Sequence, residues 1–242
     1  MNYNTRLNSE EWGNIYNDSR VDVFYKEIQT GAVTCQTKEM NSISNIGNKV
    51  LEIGCGSGAT SVYLAKNGRA ATALDFSKES LNCVQKLAEK CGVEVQTVLA
   101  DATKELPFSD DEFDIVFQAG LLEHFDFDER VELLKNWKRV SSKMVSMIPN
   151  AASIAYRTGK ALMERDGSWP YGKELPQYTL HQEFSEAGLA NIREYTIGDL
   201  HALEFLPKRH YLRKALQRWI NENPCDDICG QGYLLVTVAD KI

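Results

Sequence analysis

Val50-Leu51-Glu52-Ile53-Gly54-Cys55-Gly56-Ser57-Gly58 is the stretch on which the reading turns. Residues 49–53 form a short apolar run that stops at glycine, which predicts a buried strand. Residues 59–66 then predict a helix, closed by Asn67-Gly68. Three glycines between a strand and a helix let the backbone turn sharply and approach a ligand where a side chain would fill the space. Alone the turn is weakly specific, because Gly54, Gly56 and Ala59 also satisfy the loose G-x-G-x-x-G/A dinucleotide pattern.

Outward from this turn the alternation continues. Residues 70–74 predict a strand and 77–91 a helix, with Ser77 as cap, Glu79 in the first turn and Gly92 past the end. Strands follow at 93–99 and 113–118, a helix at 126–137, and a fifth strand at 139–148 that Pro149 stops. Strands alternating with helices mean βαβ units and a mostly parallel, doubly wound sheet, whose ligands sit beyond the carboxyl ends of the strands. After Pro149 come a helix at 151–165, a loop at 166–177 rich in Gly, Pro and aromatics, a helix at 180–187, a strand at 191–197, two helices within 198–223, a turn region at 224–232 and a closing strand at 233–239. Insertions at 150–178 and 198–229 are therefore expected to decorate the sheet of a domain spanning 46–242 and to form a substrate lid. Residues 9–30 carry Trp12, Ile15, Tyr16, Val21, Phe24, Tyr25 and Ile28 at helical spacing, broken near 17–19, and 41–48 reads as a polar linker. Residues 1–45 are thus a helical segment preceding the sheet.

Composition narrows the function classes. The 27 Lys and Arg face 34 Asp and Glu, giving a net charge of −7. This disfavours a nucleic-acid partner, which needs basic surface to displace counterions. Apolar runs such as 234–236 fall far below the roughly 20 residues that span a bilayer, so no membrane insertion is expected. Residues 1–20 lack the apolar core of a signal peptide, so the expectation is a cytoplasmic protein, monomer or homodimer. Cys35, Cys55, Cys83, Cys91, Cys225 and Cys229 match no zinc spacing, so packed reduced thiols and no metal are expected.

Two carboxylates sharpen the ligand. Asp75 closes the second strand, where it can accept from both hydroxyls of a ribose, a feature shared with dinucleotide binders. Asp101-Ala102 follows the third strand, where a carboxylate can accept from an adenine amino group while Phe76 or Leu99 packs on the ring. Residues 118–123 lie at the mouth of the central strand, where a reacting group would sit.

In this order and spacing VLEIGCGSG, ALDFS, LADAT, LPFSDDEFDIVF and GLLEHF resemble the class I S-adenosylmethionine-dependent methyltransferases, most of all their type 11 small-molecule group. The resemblance covers 49–148 well and extends weakly to 182–188, 191–197 and 233–239. It implies a Rossmann-like α/β fold, a seven-stranded sheet with an antiparallel last strand, and S-adenosylmethionine as cofactor. It implies that Gly54, Gly56 and Gly58 line the methionine part, with Glu52 organising the loop. Asp75 would hold the ribose, with Phe76 and Ser77 beside the adenosine, and Asp101 and Ala102 would recognise the adenine. Gln118, Ala119 and Leu121 would border the sulfonium. Trp12 and Tyr16 match the family's N-terminal segment, which closes over the cofactor.

Methyl transfer from a sulfonium is an in-line displacement whose leaving group is already activated, so proximity and orientation dominate and a base is needed only for an acceptor that sheds a proton. His124 is the leading candidate base, with an unperturbed pKa of about 6.5, and Glu123 a weaker one. Trp169 and Tyr171 are candidate pocket walls. Lys208, Arg209, His210, Arg213, Lys214 and Arg218 form a basic cluster that reads first as a solvated helix face and second as an anion site. The expected acceptor is an oxygen or nitrogen of a small molecule, with carbon a further option. The rivals are a non-catalytic S-adenosylmethionine-binding protein and a nicotinamide-dependent oxidoreductase. The position of Asp101 and the final pair of strands argue against the second. RNA methylation is disfavoured by charge. The fourth strand ends in Phe117-Gln118-Ala119-Gly120, without the Asn/Asp-Pro-Pro-aromatic signature used on planar amide or base nitrogens, and Pro224-Cys225 reads as a turn.

Overall fold

Val50, Leu51 and Ile53 are fully buried because their strand, β1 (Lys49–Ile53), has a parallel neighbour on each side. These are β2 (Ala70–Asp75) and β4 (Phe113–Ala119). Burying each such side chain contributes roughly 1.5–3 kcal/mol, which makes this strand a centre of the fold. In the computed structural model, which describes residues 5–222 and 232–241, a seven-stranded sheet runs in the order β3-β2-β1-β4-β5-β7-β6. The outer members are β3 (Gln96–Leu99), β5 (Ser141–Pro149), β6 (Leu189–Ile197) and β7 (Leu234–Lys241). β7 pairs antiparallel with both β5 and β6. The predicted α/β class, parallel core and antiparallel last strand are all present. Chain order reverses between β1 and β4, so the crevice for a ligand opens beyond their carboxyl ends.

Helices cover both faces. Next to β1 and β2 lie α4 (Ala59–Lys66) and α5 (Lys78–Cys91). The Ser77 side chain caps α5 by accepting from the Ser80 N–H, and left-handed Gly92 ends it. The other face holds α6 (Phe127–Lys138) and α8 (His181–Glu186), with Leu134, Trp137 and Phe184 in one core cluster. Asp126 and Glu129 form a capping box at the start of α6. The segment before the sheet holds α1 (Ser9–Ile15), a short 3-10 turn, α2 (Val21–Thr30) and α3 (Cys35–Ile43). The break near 17–19 falls where expected, at the Asn17-capped turn. The predicted linker 41–48 needs correction, since α3 runs through Ile43. Met40 is fully buried against Val50 and Leu64, and this tertiary contact sustains a helix that the polar sequence hides.

After β5 come α7 (Ile154–Asp166), the irregular segment 167–177, α9 (Asp199–Ala202) and α10 (Tyr211–Glu222). Cys225 and Cys229, and the Pro224-Cys225 pair, lie outside the described residues. The other four cysteines are free thiols. Among the described residues no helix is long and apolar enough to cross a membrane. Asp114, near the start of β4, accepts from the Lys49 N–H at 2.7 Å.

One buried ion pair fastens the second helical layer. Arg130 on α6 donates twice to Glu183 on α8, at 3.0 and 2.6 Å, and once to the Phe125 carbonyl at 2.7 Å. Removing one partner leaves the other charge buried and unpaired. Arg130→Ala should therefore cost about 3–5 kcal/mol in a urea unfolding titration; a loss under about 1 kcal/mol would show that the pair is not buried in solution.

Candidate active site

The glycine turn takes three left-handed backbone angles in alternation, at Gly54 (φ 65), Gly56 (φ 51) and Gly58 (φ 62). A Cβ on Gly54 would lie 3.0 Å from Leu121, and one on Gly56 2.9 Å from the Tyr16 ring. On Gly58 it would lie 2.4 Å from Val84 of α5. Gly58 thus serves helix packing at the head of α4, and is not part of the cavity wall where it was expected.

Asp75 ties this turn to the next strand. Its Oδ2 accepts the Gly56 N–H and its Oδ1 the Ser77 N–H, both at 2.9 Å. Burial pushes its pKa up, while the N–H groups of Ser77, Gly56 and Phe76 pull it back. Each carboxylate oxygen keeps a further acceptor site. Glu52 lies beneath the turn, its Oε2 accepting from the Ser61 N–H at 3.0 Å and the Ser61 hydroxyl at 2.5 Å. Burial pushes its pKa up to about 7.

A cavity of about 460 Å³ opens over the carboxyl ends of β1, β2, β3 and β4. Of the expected cofactor residues, Trp12, Tyr16, Glu52, Gly54, Gly56, Asp75, Phe76, Asp101, Ala102 and Leu121 line it together, as does His124. Phe76 is 42% exposed, a ring face left open at the rim. The Asp101 Oδ1 accepts from the backbone and hydroxyl of Thr103, and the Trp137 Nε1 fixes the Ala102 carbonyl at 3.1 Å. Ser77 and Gln118 are corrected along with Gly58, because they stand one layer behind the wall. Ser77 caps α5, and Gln118 donates to the Ser146 hydroxyl and accepts from the Leu121 N–H, which sets the loop after β4. Leu99 is 60% exposed and off the wall. Among the described residues of the two insertions only Tyr171 reaches the cavity; Trp169 is buried behind it, and Lys208, Arg213, Lys214 and Arg218 of the basic cluster border a separate groove.

Several wall residues carried no signal in the sequence. Arg6, Arg20, Thr34, Gln36 and Thr37 come from the segment before the sheet. Only the recognition of α3 would have placed Thr37, whose hydroxyl meets that of Thr60 at 2.7 Å.

At the end of the cavity near Leu121 the cover is aromatic. Trp12 stacks on Tyr16 and on Tyr171, with ring centroids 6.0 and 6.2 Å apart, and meets His124 edge-on at 5.4 Å. The segment 167–177 crosses this end as a strap. Its Lys173 N–H donates to the Thr5 carbonyl at 3.0 Å and its Leu175 N–H to the Glu123 carbonyl at 2.7 Å. The Lys173 carbonyl lies 2.5 Å from His124 Nδ1, which fixes Nδ1 as the protonated nitrogen of the neutral ring. Burial lowers the pKa of His124, outweighing the backbone contacts of Lys173 and Gly120 that raise it.

Comparison with known proteins agrees with this geometry. Residues 50–143 match the family model of a methyltransferase domain. These residues carry the similarity to a methyltransferase domain, on a fold shared with S-adenosylmethionine-dependent methyltransferases of known structure. The ubiquinone biosynthesis O-methyltransferase of Aeromonas salmonicida is 35% identical over 78 residues, 32% of this chain and 33% of that protein. A probable (S)-tetrahydroprotoberberine N-methyltransferase of Papaver bracteatum is 40% identical over 81 residues, 32% of this chain and 22% of that protein. The chain thus spans a third or less of the length of these relatives. The magnesium protoporphyrin IX methyltransferase of Synechocystis, solved with bound S-adenosylhomocysteine, shares the fold with a TM-score of 0.57 at 15% identity, covering 96% of this chain and 93% of that one.

The methyltransferase domain fits its cofactor on its own geometry: two glycines whose Cβ positions are already filled by cover residues, and a buried carboxylate with spare acceptor sites at the next strand end. Two tests probe this construction. Gly58→Ala should destabilise the domain by at least about 1–2 kcal/mol from its left-handed angle alone, with the Val84 contact adding to this; an unchanged unfolding midpoint would contradict it. His124, neutral when folded, favours the folded state fully above its unfolded pKa of about 6.5 and loses that contribution as pH falls towards its lower folded value. His124→Phe should therefore lose less stability than the parent between pH 7 and pH 5, and parallel curves would show that the ring titrates normally.

Proposed function

We propose that this chain is an S-adenosylmethionine-dependent methyltransferase that moves a methyl group to an oxygen or nitrogen of a small molecule, with carbon a further option. The observation that carries this is the Asp75 carboxylate bonded across to Gly56 under an aromatic-covered cavity at the sheet's reversal point. S-adenosylmethionine supplies a methyl group already activated on a sulfonium. On this reading Asp75 takes the ribose hydroxyls, Phe76 and Ala102 flank the adenine, Asp101 accepts from its amino group, and Arg20 faces the methionine carboxylate. Gly54 and Gly56 bring backbone against the methionine part, and Leu121 borders the reacting end. Trp12, Tyr16 and Tyr171 keep water from that end, as an N-terminal and strap lid. The remaining work is to hold the acceptor in line. Where the acceptor sheds a proton, His124 Nε2 is the lone pair available to receive it. An O-methyltransferase and an N-methyltransferase among the relatives support either acceptor atom. The acidic balance supports a small molecule over nucleic acid. On this reading the enzyme works in the cytoplasm as a monomer or homodimer.

Asp75→Asn should weaken S-adenosylhomocysteine binding by about tenfold or more in calorimetry while the circular dichroism spectrum is retained. Unchanged affinity would remove the ribose assignment and the reading with it. His124→Ala should lower turnover on an identified acceptor far more than cofactor affinity; equal losses would make the ring structural.

A further inference from the structure

Behind the acceptor end of the cavity lies a buried acid pair that cofactor binding leaves unused. Glu123, on the turn after β4, is 1% exposed, and its Oε2 finds no hydrogen-bond partner among the described residues. Glu174 comes from the strap and accepts from the Tyr156 hydroxyl. The backbone bond from Leu175 to the Glu123 carbonyl sets the two residues side by side. The other buried carboxylates are compensated: Glu183 by Arg130, Asp75 by two backbone N–H groups, Glu52 by Ser61. Among the described residues no ion pair reaches Glu123 or Glu174. Lys160 eases Glu174 from nearby, but its Nζ is bonded to Glu164 and lies 4.7 Å from the centre of the Trp169 ring.

The surroundings are aromatic. The Glu123 charge acts on Tyr16, Tyr156 and Tyr233, and that of Glu174 on Tyr156, Tyr171 and Tyr233. Trp169 stands edge-on to both Tyr156 and Tyr171, and its Nε1 is also buried without a hydrogen-bond partner. Uncompensated acid within ring faces is the chemistry that receives an organic cation. An orphaned indole N–H in the same wall offers a donor to a polar group on that molecule.

We propose that Glu123 and Glu174, within the rings of Tyr156, Trp169 and Tyr171, form a subsite for a protonated amine, so that the methyl acceptor is an aromatic or arylalkyl amine. This rests on the methyltransferase reading and adds the acceptor's charge to it. An ammonium group cannot attack until it sheds a proton, and the pair supplies the base: R–NH3⁺ and one carboxylate give R–NH2 and one carboxylic acid. Burial holds Glu174 up at about 7, and burial with the neighbouring Glu174 charge holds Glu123 well above the usual carboxylate range, so Glu174 is the member that can take such a proton near neutral pH. His124, bonded through Nδ1 to the Lys173 carbonyl, holds the strap and keeps its Nε2 lone pair for the role given above.

The test is calorimetric. Protein saturated with S-adenosylhomocysteine is titrated with phenethylamine and with its neutral isostere 2-phenylethanol. The amine should bind about tenfold or more tightly than the alcohol. Glu123→Gln and Glu174→Gln, both near-isosteric, should each shrink that preference towards unity and leave S-adenosylhomocysteine affinity unchanged. Equal affinities, no binding of the amine, or a preference that survives both substitutions would overturn the subsite. Failure of S-adenosylhomocysteine itself to bind would instead strike the underlying methyltransferase reading.

Discussion

The carboxylate of Asp75 is the constraint around which the cofactor half of this molecule is arranged. It accepts one N–H from the glycine turn after β1 and one from the residue that caps α5. Three successive structural units therefore share one charge. The turn can offer that N–H only because Gly56 takes a left-handed angle, and Tyr16 can lie over the turn only because Gly56 has no side chain. Burying a carboxylate costs free energy unless donors surround it. Here the backbone provides them, so the acid is held in place while each oxygen retains capacity for a hydroxyl group.

A second layer holds that arrangement still. Glu52 grips Ser61 at the head of α4, Gly58 lets α4 close on Val84, and Gln118 pins the Leu121 N–H beside the first glycine. None of these contacts depends on a ligand. The site is thereby preformed on rigid strand ends, and preorganisation of this kind lowers the cost of binding. The aromatic cover is built differently. It draws Trp12 and Tyr16 from α1 and its exit, Tyr171 from the strap, and His124 from the turn after β4, and joins them by ring contacts and a few backbone bonds.

That difference explains what could be read from the amino-acid order. The glycine turn, Asp75 and Asp101 are local features, each at the end of a strand that its own apolar run announces. The sheet and its antiparallel closing strand followed from them, and ten of the thirteen residues expected at the cofactor line one cavity. Gly58, Ser77 and Gln118 lie on the same motif, yet their side chains or backbone serve packing and capping, a distinction that depends on Val84, Ser80 and Ser146 elsewhere in the chain. The helix α3 was hidden because its sequence is polar, and one buried methionine holds it to the sheet. Thr37 and the arginines of the cavity mouth went unseen with it or beside it. The strap was readable only as a loop, because its hydrogen bonds go to Thr5, Glu123 and His124, residues far away in the chain.

The contrast between two buried glutamates shows how the halves of the molecule divide structure from chemistry. Glu183 and Glu123 are both almost fully buried. Glu183 is met by Arg130 in a two-point bond that joins two helices, so its charge is consumed in holding the fold. Glu123 has no such partner among the described residues and is instead set against a second carboxyl group brought in by the strap. A fold gains nothing from placing two buried acids together without an ion pair to either, since desolvation and repulsion both oppose it. Sites that carry such a penalty are where a bound molecule provides the missing charge or a proton has to be held. The end of the cavity at Asp75 is held by backbone hydrogen bonds, whereas the acid pair behind its Leu121 end is left without an ion pair among the described residues.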